Sequence, residues 1–242
     1  MMPSLFEGKV VIVTGATGAL GSAVTMMLVE REGEVVALYR DESKLRALRK
    51  SLGAHGDRLT GFKGDATRAE DCNALVEETL RVHGRVDVLM NVVGGYRGGS
   101  TVAETPEENW DHLMDLNLRS AFLCSRAVLP HMIEKGYGRI VSVSAKSVTS
   151  SGRKAKSGAY VVSKAGVKAL TEAMAEEVAK YDINVNCVAP SVIDTPANRE
   201  MFPKARHERW VPPEEIAEVM LFLASDASRP IRGALIPVFG RS

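Results

Sequence analysis

Apolar residues follow two alternating rhythms along this chain. Lys9–Thr14, Glu34–Leu38, Leu59–Lys63, Val86–Val93, Arg139–Val143, Ile183–Val188 and Ala234–Phe239 are short apolar runs that read as buried strands. Between them lie longer segments in which apolar residues recur every three or four positions, the helical period. These are Ser22–Glu30, Ser43–Ser51, Ala69–Val82, Pro106–Glu134, Tyr160–Lys180 and Glu214–Ala224. Pro106–Glu134 reads as one long helix, with Pro106 suited to its first turn. Strands alternating with long helices predict an α/β fold built on a doubly wound parallel sheet. No repeat, low-complexity tract or linker interrupts the pattern, so residues 1–242 are expected to form a single domain.

In such sheets ligands bind at the carboxyl ends of the strands, near the point where strand order reverses. Gly15 and Gly18 follow the first strand, Arg40 the second, Asp65 the third, and Asn91 to Gly95 the fourth. Ser144 to Ser147 follow the fifth and Pro190 to Thr195 the sixth. Any one of these is ordinary turn chemistry. Six such groups on one sheet edge mark a site. In the first of them, Gly15-Ala16-Thr17-Gly18-Ala19-Leu20-Gly21 stands between strand and helix, the context a dinucleotide fingerprint requires. Glycine lets the backbone approach a pyrophosphate, and the helix start offers free amides and a positive dipole end.

Tyr160-Val161-Val162-Ser163-Lys164 adds chemistry, because residues four apart share a helix face. A free tyrosine titrates near pH ~10, and a neighbouring ammonium favours the phenolate. Reaching about 7 needs roughly 4 kcal/mol at about 1.36 kcal/mol per unit, so a bound cationic ring or further hydrogen bonds should contribute. A surface Tyr–Lys pair is the plain alternative, and the company of the glycine turn decides against it.

Composition narrows the function classes. The chain is 45% hydrophobic and 25% charged with a net charge of +1, so no global field draws in nucleic acid or an acidic membrane. Arg153, Lys154 and Lys156 form a local cluster that reads as a solvated loop. No window reaches the ~18 apolar residues of a membrane span. No signal peptide is expected either, since Val10–Val13 is too short and runs into the glycine turn. Cys72, Cys124 and Cys187 are dispersed and read as buried residues of a reducing cytoplasm. His55, His83, His112, His131 and His207 have no ligand-spaced partners, so no metal is expected.

With these residues laid out, the chain resembles the short-chain dehydrogenase/reductase family over nearly its whole length. The resemblance rests on Thr14-Gly15-x-x-Gly18-x-x-Gly21, Asp65, Asn91 with Gly94, Asn117, Tyr160-x-x-x-Lys164, Pro190 with Thr195, Pro213 to Ala217, and Phe222 to Asp226. It implies a Rossmann-type domain that binds a nicotinamide dinucleotide and assembles as a homotetramer or homodimer. Tyr160 would exchange a proton with the substrate oxygen, Lys164 would hold the ribose hydroxyls, and Asn117 would support a water that feeds protons toward Lys164. Implied cofactor contacts come from Gly15, Thr17, Gly18, Ala19, Leu20 and Gly21 at the first turn, and from Tyr39 and Arg40 after the second strand. Asp65 and Ala66, then Asn91, Val92, Val93 and Gly94, and finally Pro190, Ile193 and Thr195 complete the set, with Tyr160 and Lys164. Asp65 would accept from the adenine amino group, and Asn91 would pin the fourth strand beside the cofactor.

The departures are as informative. Ala19 stands where a glycine is common, Asn-Asn-Ala-Gly is replaced by Asn91-Val92-Val93-Gly94, Ser191 follows Pro190 in place of glycine, and Arg241 replaces the second of two terminal glycines. The substrate-orienting serine has no single position. Alignment by the fifth strand places Ala145 there, counting back from Tyr160 selects Ser147, and Ser144 lies one residue off. The serine-free dihydropteridine reductases share Gly18-Ala19-Leu20-Gly21, Gly94-Gly95-x-x-Gly98-Gly99 and Ala145-Lys146 with this chain. Two readings therefore stand beside a carbonyl oxidoreductase: reduction of a quinonoid pterin, and dinucleotide binding with little catalysis.

The tip of the second strand, Leu38-Tyr39-Arg40-Asp41, bears on the nicotinamide. Tyr39 takes the place of the aspartate of NAD-preferring relatives and Arg40 that of the arginine of NADP-preferring ones, whose fork suits a 2′-phosphate. Asp41 is positioned to neutralise it. NADP(H) is expected over NAD(H). Residues 195–212 are expected to form a short lid over a small-molecule substrate, with Met201, Phe202 and Trp210 either facing it or packing inward, and Tyr96 and Arg97 within reach.

Overall fold

The computed structural model describes residues 5–241. Seven parallel strands form one sheet in the order β3-β2-β1-β4-β5-β6-β7. They are β1 (Val10–Thr14), β2 (Glu34–Tyr39), β3 (Leu59–Lys63), β4 (Val88–Asn91), β5 (Tyr137–Val143), β6 (Asp182–Pro190) and β7 (Leu235–Val238). Helices α1 (Ala19–Glu30), α2 (Glu42–Ser51), α3 (Ala69–His83), α4 (Glu107–Leu113), α5 (Ser120–Lys135), α6 (Gly158–Glu177), α7 (Pro196–Met201) and α8 (Pro213–Ala224) complete the chain. The doubly wound parallel sheet predicted from the alternation is the one found, in the Rossmann-type form that the resemblance implied.

Continuous apolar runs form these strands because both faces of the sheet are covered. Successive residues of one strand enter opposite cores. Val11 and Val13 pack with Val24 and Leu28 of α1 and with Ile216 and Met220 of α8. Val10 and Ile12 pack on the other side with Leu75 of α3 and with Val128 and Met132 of α5. Each fully buried side chain of this size stabilises the fold by about 1.5–3 kcal/mol. Asp87 lies 0% exposed where the chain enters β4. It accepts from the Val10 N–H at 2.9 Å, from Arg85 at 2.7 Å through both oxygens and from Lys135 at 2.6 Å. Burial would raise its pKa, but these donors hold it below the usual carboxylate value.

Several boundaries differ from the sequence reading, and two of the differences bear on the site. β4 ends at Asn91 rather than Val93, because the N–H groups of Val92 and Val93 leave the ladder and donate to the Thr14 hydroxyl at 3.1 and 3.3 Å. The long helix expected over Pro106–Glu134 is broken into α4 and α5 by a π-helical segment, Met114–Arg119, and Pro106 sits at the N-cap instead of the first turn. π segments cluster at functional sites, and Asn117 lies within this one. α6 stops at Glu177, short of Lys180. Among the described residues no helix is long and apolar enough to cross a membrane.

Candidate active site

Strand order reverses between β1 and β4, and a cleft of about 900 Å³ opens at the carboxyl ends there, a size typical of ligand sites. Its floor is the glycine turn. Gly15 has φ +66°, and a Cβ there would lie 3.1 Å from the Val93 nitrogen, so only glycine lets the β1 and β4 turns meet. A Cβ at Gly21 would collide with the Gly15 carbonyl oxygen, which is why α1 can start tight against the turn. Gly18 is the N-cap of α1 and uses no side-chain cap, leaving the first amides of the helix directed at the cleft. Gly15, Thr17, Gly18, Ala19, Leu20 and Gly21 all line it. Ala19 opens α1, a position that asks for no glycine.

One end of the cleft carries Tyr39, Arg40, Asp65 and Ala66, as expected, together with Lys44, which sequence reasoning missed. Its signal was its place in the first turn after Arg40. Asp41 does not neutralise Arg40. Its carboxylate caps α2, accepting from the N–H and hydroxyl of Ser43 at 2.9 and 2.6 Å, and those bonds lower its pKa. The nearest acid to Arg40 is Asp65, at 3.8 Å. Asp65 binds the N–H and hydroxyl of Thr67 through Oδ1 at 2.9 and 2.8 Å. Burial opposes its ionisation, but Thr67 and Arg40 keep its pKa below the usual value. The Tyr39 hydroxyl donates to Glu42.

The other end holds Val92, Val93, Gly94, Ser144, Ala145, Ser147, Tyr160, Lys164, Pro190, Ile193 and Thr195. Tyr160 lies on the first turn of α6, with the ring of Tyr96 edge-on at 5.0 Å. Burial, with Tyr96 adding to it, pushes the Tyr160 pKa up to about 12. Lys164 is 4% exposed, and burial brings its pKa down to about 8. Its ammonium donates to the Val143 carbonyl at 2.7 Å. Without a bound cationic ring, burial dominates the phenol, and the ammonium is engaged by the end of β5.

Asn117 is 1% exposed, donates to Ser163 at 3.0 Å and to the Gly95 carbonyl at 3.1 Å, and accepts from the Gly95 N–H at 2.9 Å. It clamps the turn after β4 rather than lining the cleft. A Cβ on Gly94 would lie 2.9 Å from both Asn117 Oδ1 and Lys164 Nζ, so this turn is where the two polar groups meet. Asn91 also lies outside the cleft and donates to Ser125 and Ser142 at 3.1 and 3.2 Å, tying β4 to β5 and α5. Ser144 donates to the Lys164 carbonyl at 2.8 Å. The Ser147 hydroxyl is buried and has no hydrogen-bond partner among the described residues, in a turn that lines the cleft.

The segment expected as a lid carries α7, which the sequence reading left unassigned. The Thr195 hydroxyl caps it by accepting from the Asn198 N–H at 3.1 Å. Phe202 and Asn198 line the cleft, whereas Met201 is exposed and Trp210 packs on Phe202 and His207. Ser151, Arg153 and Ser157 of the loop before α6 also line it, and Arg153 is exposed, as the solvated-loop reading expected. Among the described residues no group of three or more His, Cys, Asp or Glu side chains is placed to hold a metal ion.

The glycine cradle, the free helix amides and the Asp65 carboxylate suit a dinucleotide. The sequence family described as short chain dehydrogenase matches residues 9–206. The chain is 34% identical to the 3-oxoacyl-[acyl-carrier-protein] reductase of Thermotoga maritima, over 97% of each. It is 32% identical to the (2S)-[(R)-hydroxy(phenyl)methyl]succinyl-CoA dehydrogenase subunit of Thauera aromatica, over 97% of this chain and 96% of that one. Its fold matches that of NADP-bound ElxO with a TM-score of 0.90 at 23% identity, over 96% of this chain and 97% of ElxO. On the sequence matches, the chain belongs to the short-chain dehydrogenase/reductase family and is an NAD(P)-dependent oxidoreductase acting on a small molecule.

Proposed function

We propose that this protein interconverts a carbonyl and an alcohol with NADP(H), using Tyr160 as the general acid/base. The observation carrying the reading is that Tyr160 and Lys164 line the cleft that begins at the glycine turn, with Asn117 clamping the turn beside Lys164. The nicotinamide dinucleotide supplies or accepts the hydride. A phenol held at about 12 is protonated at neutral pH and ready to donate to a carbonyl oxygen. Lys164 holds the ribose end of the cofactor and, charged, favours the phenolate left behind. Asn117 fixes the Gly94–Gly95 turn against Lys164 and would support a water that feeds protons toward Lys164. Ser147 offers the substrate oxygen a hydroxyl with no competing partner. Arg40 and Lys44, neither paired with Asp41, favour a 2′-phosphate and so NADP(H) over NAD(H).

The protein fits a cytoplasmic enzyme whose three cysteines are free, formed as one domain with residues 195–212 as its lid. Exposed Phe122 and Val162 on α5 and α6 suit self-association. The test is NADPH oxidation against aldehydes, ketones, β-ketoacyl thioesters, quinones and quinonoid dihydropterin. Tyr160→Phe should retain NADPH and lose about 10²–10⁴-fold in turnover. Near-normal turnover would refute the acid/base role. Turnover of the pterin alone would favour the serine-free reading, since the cleft does present Ala145.

A further inference from the structure

The two ends of the cleft differ in charge. Both acids that line it, Asp41 and Asp65, belong to the end at β2 and β3. Around Tyr160 the lining contains three cations, Lys146, Arg153 and Lys164, and no carboxylate, and Lys164 is engaged by the Val143 carbonyl at 2.7 Å. Arg199 is accounted for by Asp194, at 2.6 and 2.7 Å, and Arg97 donates to Asn109 at 3.1 Å. Lys146 and Arg153 make no ion pair among the described residues. The Lys146 ammonium sits 4.9 Å from the centroid of the Phe239 ring, a neighbour that steadies a cation without neutralising it.

The loop carrying Arg153 is built rather than loose. Thr149 donates from its hydroxyl to the Lys146 carbonyl at 2.7 Å, and the Lys154 ammonium donates to the carbonyls of Thr149 and Gly152 at 2.9 and 3.1 Å. Gly152 lies so close to the Lys146–Ser147 backbone that a Cβ there would collide with the Lys146 carbonyl. At the far end of the loop the Lys156 carbonyl accepts from the Gly99 N–H at 2.7 Å, joining it to the turn that carries Tyr96. Lys154 thus holds the loop, while Arg153, exposed at the cleft wall, makes no ion pair among the described residues. Beside them the Ser147 hydroxyl is buried and unpartnered.

Two cations that make no ion pair among the described residues line the same cleft as the proposed proton donor, and they suit an anion that arrives with the substrate. We infer that the carbonyl compound taken by this cleft carries an oxyanion group, carboxylate or phosphate, bound by Arg153 and Lys146. The inference rests on the reductase reading and names its substrate class. Arg153 supplies a fork suited to an oxyanion, and Lys146 a point charge held on Phe239. A neutral carbonyl of the same size would leave both cations without a counter-charge.

The experiment compares kcat/KM with NADPH for 4-carboxybenzaldehyde and its neutral methyl ester, methyl 4-formylbenzoate. A second pair, acetoacetyl-coenzyme A and the N-acetylcysteamine thioester of acetoacetate, separates a remote phosphate from a carboxylate. The charged member of at least one pair should lead by about tenfold, mainly through KM, and the lead should shrink with added salt. Arg153→Gln and Lys146→Gln should each cut the charged-to-neutral ratio severalfold, while ester turnover on the same sample reports that the variant folds. Equal turnover of charged and neutral members, or a ratio unmoved by both variants, overturns the inference and leaves the reductase reading intact. If no probe is reduced, calorimetric binding to the Tyr160→Phe protein with NADPH decides separately. Tighter binding of a charged member upholds the anion site even as the reductase reading fails on these compounds, and equal binding overturns it.

Discussion

Replacing Lys164 by methionine isolates the cost of burying an ammonium beneath the cleft. Lys164 is 4% exposed and its pKa falls from 10.5 to about 8, with burial as the main cause. The folded state therefore favours the neutral amine, and the unfolded chain binds the proton more tightly. Below pH 8 both states are protonated and the full cost is borne, about 3 kcal/mol at about 1.36 kcal/mol per unit. Between pH 8 and 10.5 the folded chain has released a proton that the unfolded chain keeps, so stability rises with pH. Methionine fills a similar volume and does not titrate. Urea unfolding of both proteins should show the wild type gaining about 2 kcal/mol on Lys164→Met between pH 7.5 and 9.5. The lost bond to the Val143 carbonyl shifts both ends of that range equally and cancels. Tyr160, at about 12, has its own window above pH 10 and does not intrude. A difference that stays constant across the range would mean that Lys164 keeps an ordinary pKa, and the argument from burial would fail.

Three further outcomes follow from other contacts. Arg40→Ala should lower the NADPH-to-NADH ratio of kcat/KM by about tenfold or more, the worth of a hydrogen bond to a charged group, and an unchanged ratio would remove Arg40 from cofactor choice. Gly21→Ala forces a methyl into the Gly15 carbonyl, so it should cost stability and NADPH affinity together, and normal binding with normal stability would refute the packing. Asp87→Asn removes the charge shared by Arg85 and Lys135, both partly exposed, and should cost about 2 kcal/mol in urea unfolding at pH 7, against an expected loss near zero if the cluster is ornamental.

What was legible in the sequence was what local spacing determines. The glycine turn reads from its place between an apolar run and a helix, and the four-residue spacing of Tyr160 and Lys164 fixes their common face whatever surrounds them. What escaped depends on partners far along the chain. The π segment in the expected long helix accompanies the bonds of Asn117 to Gly95 and Ser163, and no periodicity announces those. β4 is cut short by a hydroxyl from β1. Sequence spacing gives Tyr160 its neighbour but neither the desolvation that raises its pKa nor the Val143 carbonyl that engages the ammonium. Arg139 read as one more strand residue, yet it is 1% exposed and meets Asp182 and Asp226 at 3.2 and 3.0 Å.

Ser144, Ala145 and Ser147, which alignment leaves level as positions for a substrate-orienting hydroxyl, differ in their surroundings. Ser144, Ala145 and Ser147 all line the cleft, so proximity does not distinguish them. Ser144 is already committed, because its hydroxyl joins the end of β5 to the Lys164 carbonyl on α6 and so helps hold the helix that presents Tyr160. Ala145, where strand alignment expects serine, brings only a methyl. Ser147 sits in the turn that follows, and its buried hydroxyl has no partner. An unpaired buried hydroxyl costs about 1–3 kcal/mol, a cost that persists in a fold when the group serves something other than packing. A hydroxyl at Ser147 lies two residues nearer Tyr160 in sequence than one at residue 145 and stands on the turn rather than at the strand end. The same turn brings Lys146 into the cleft beside it, so the departure that removes a hydroxyl at residue 145 also places a cation where the proposed substrate anion would lie.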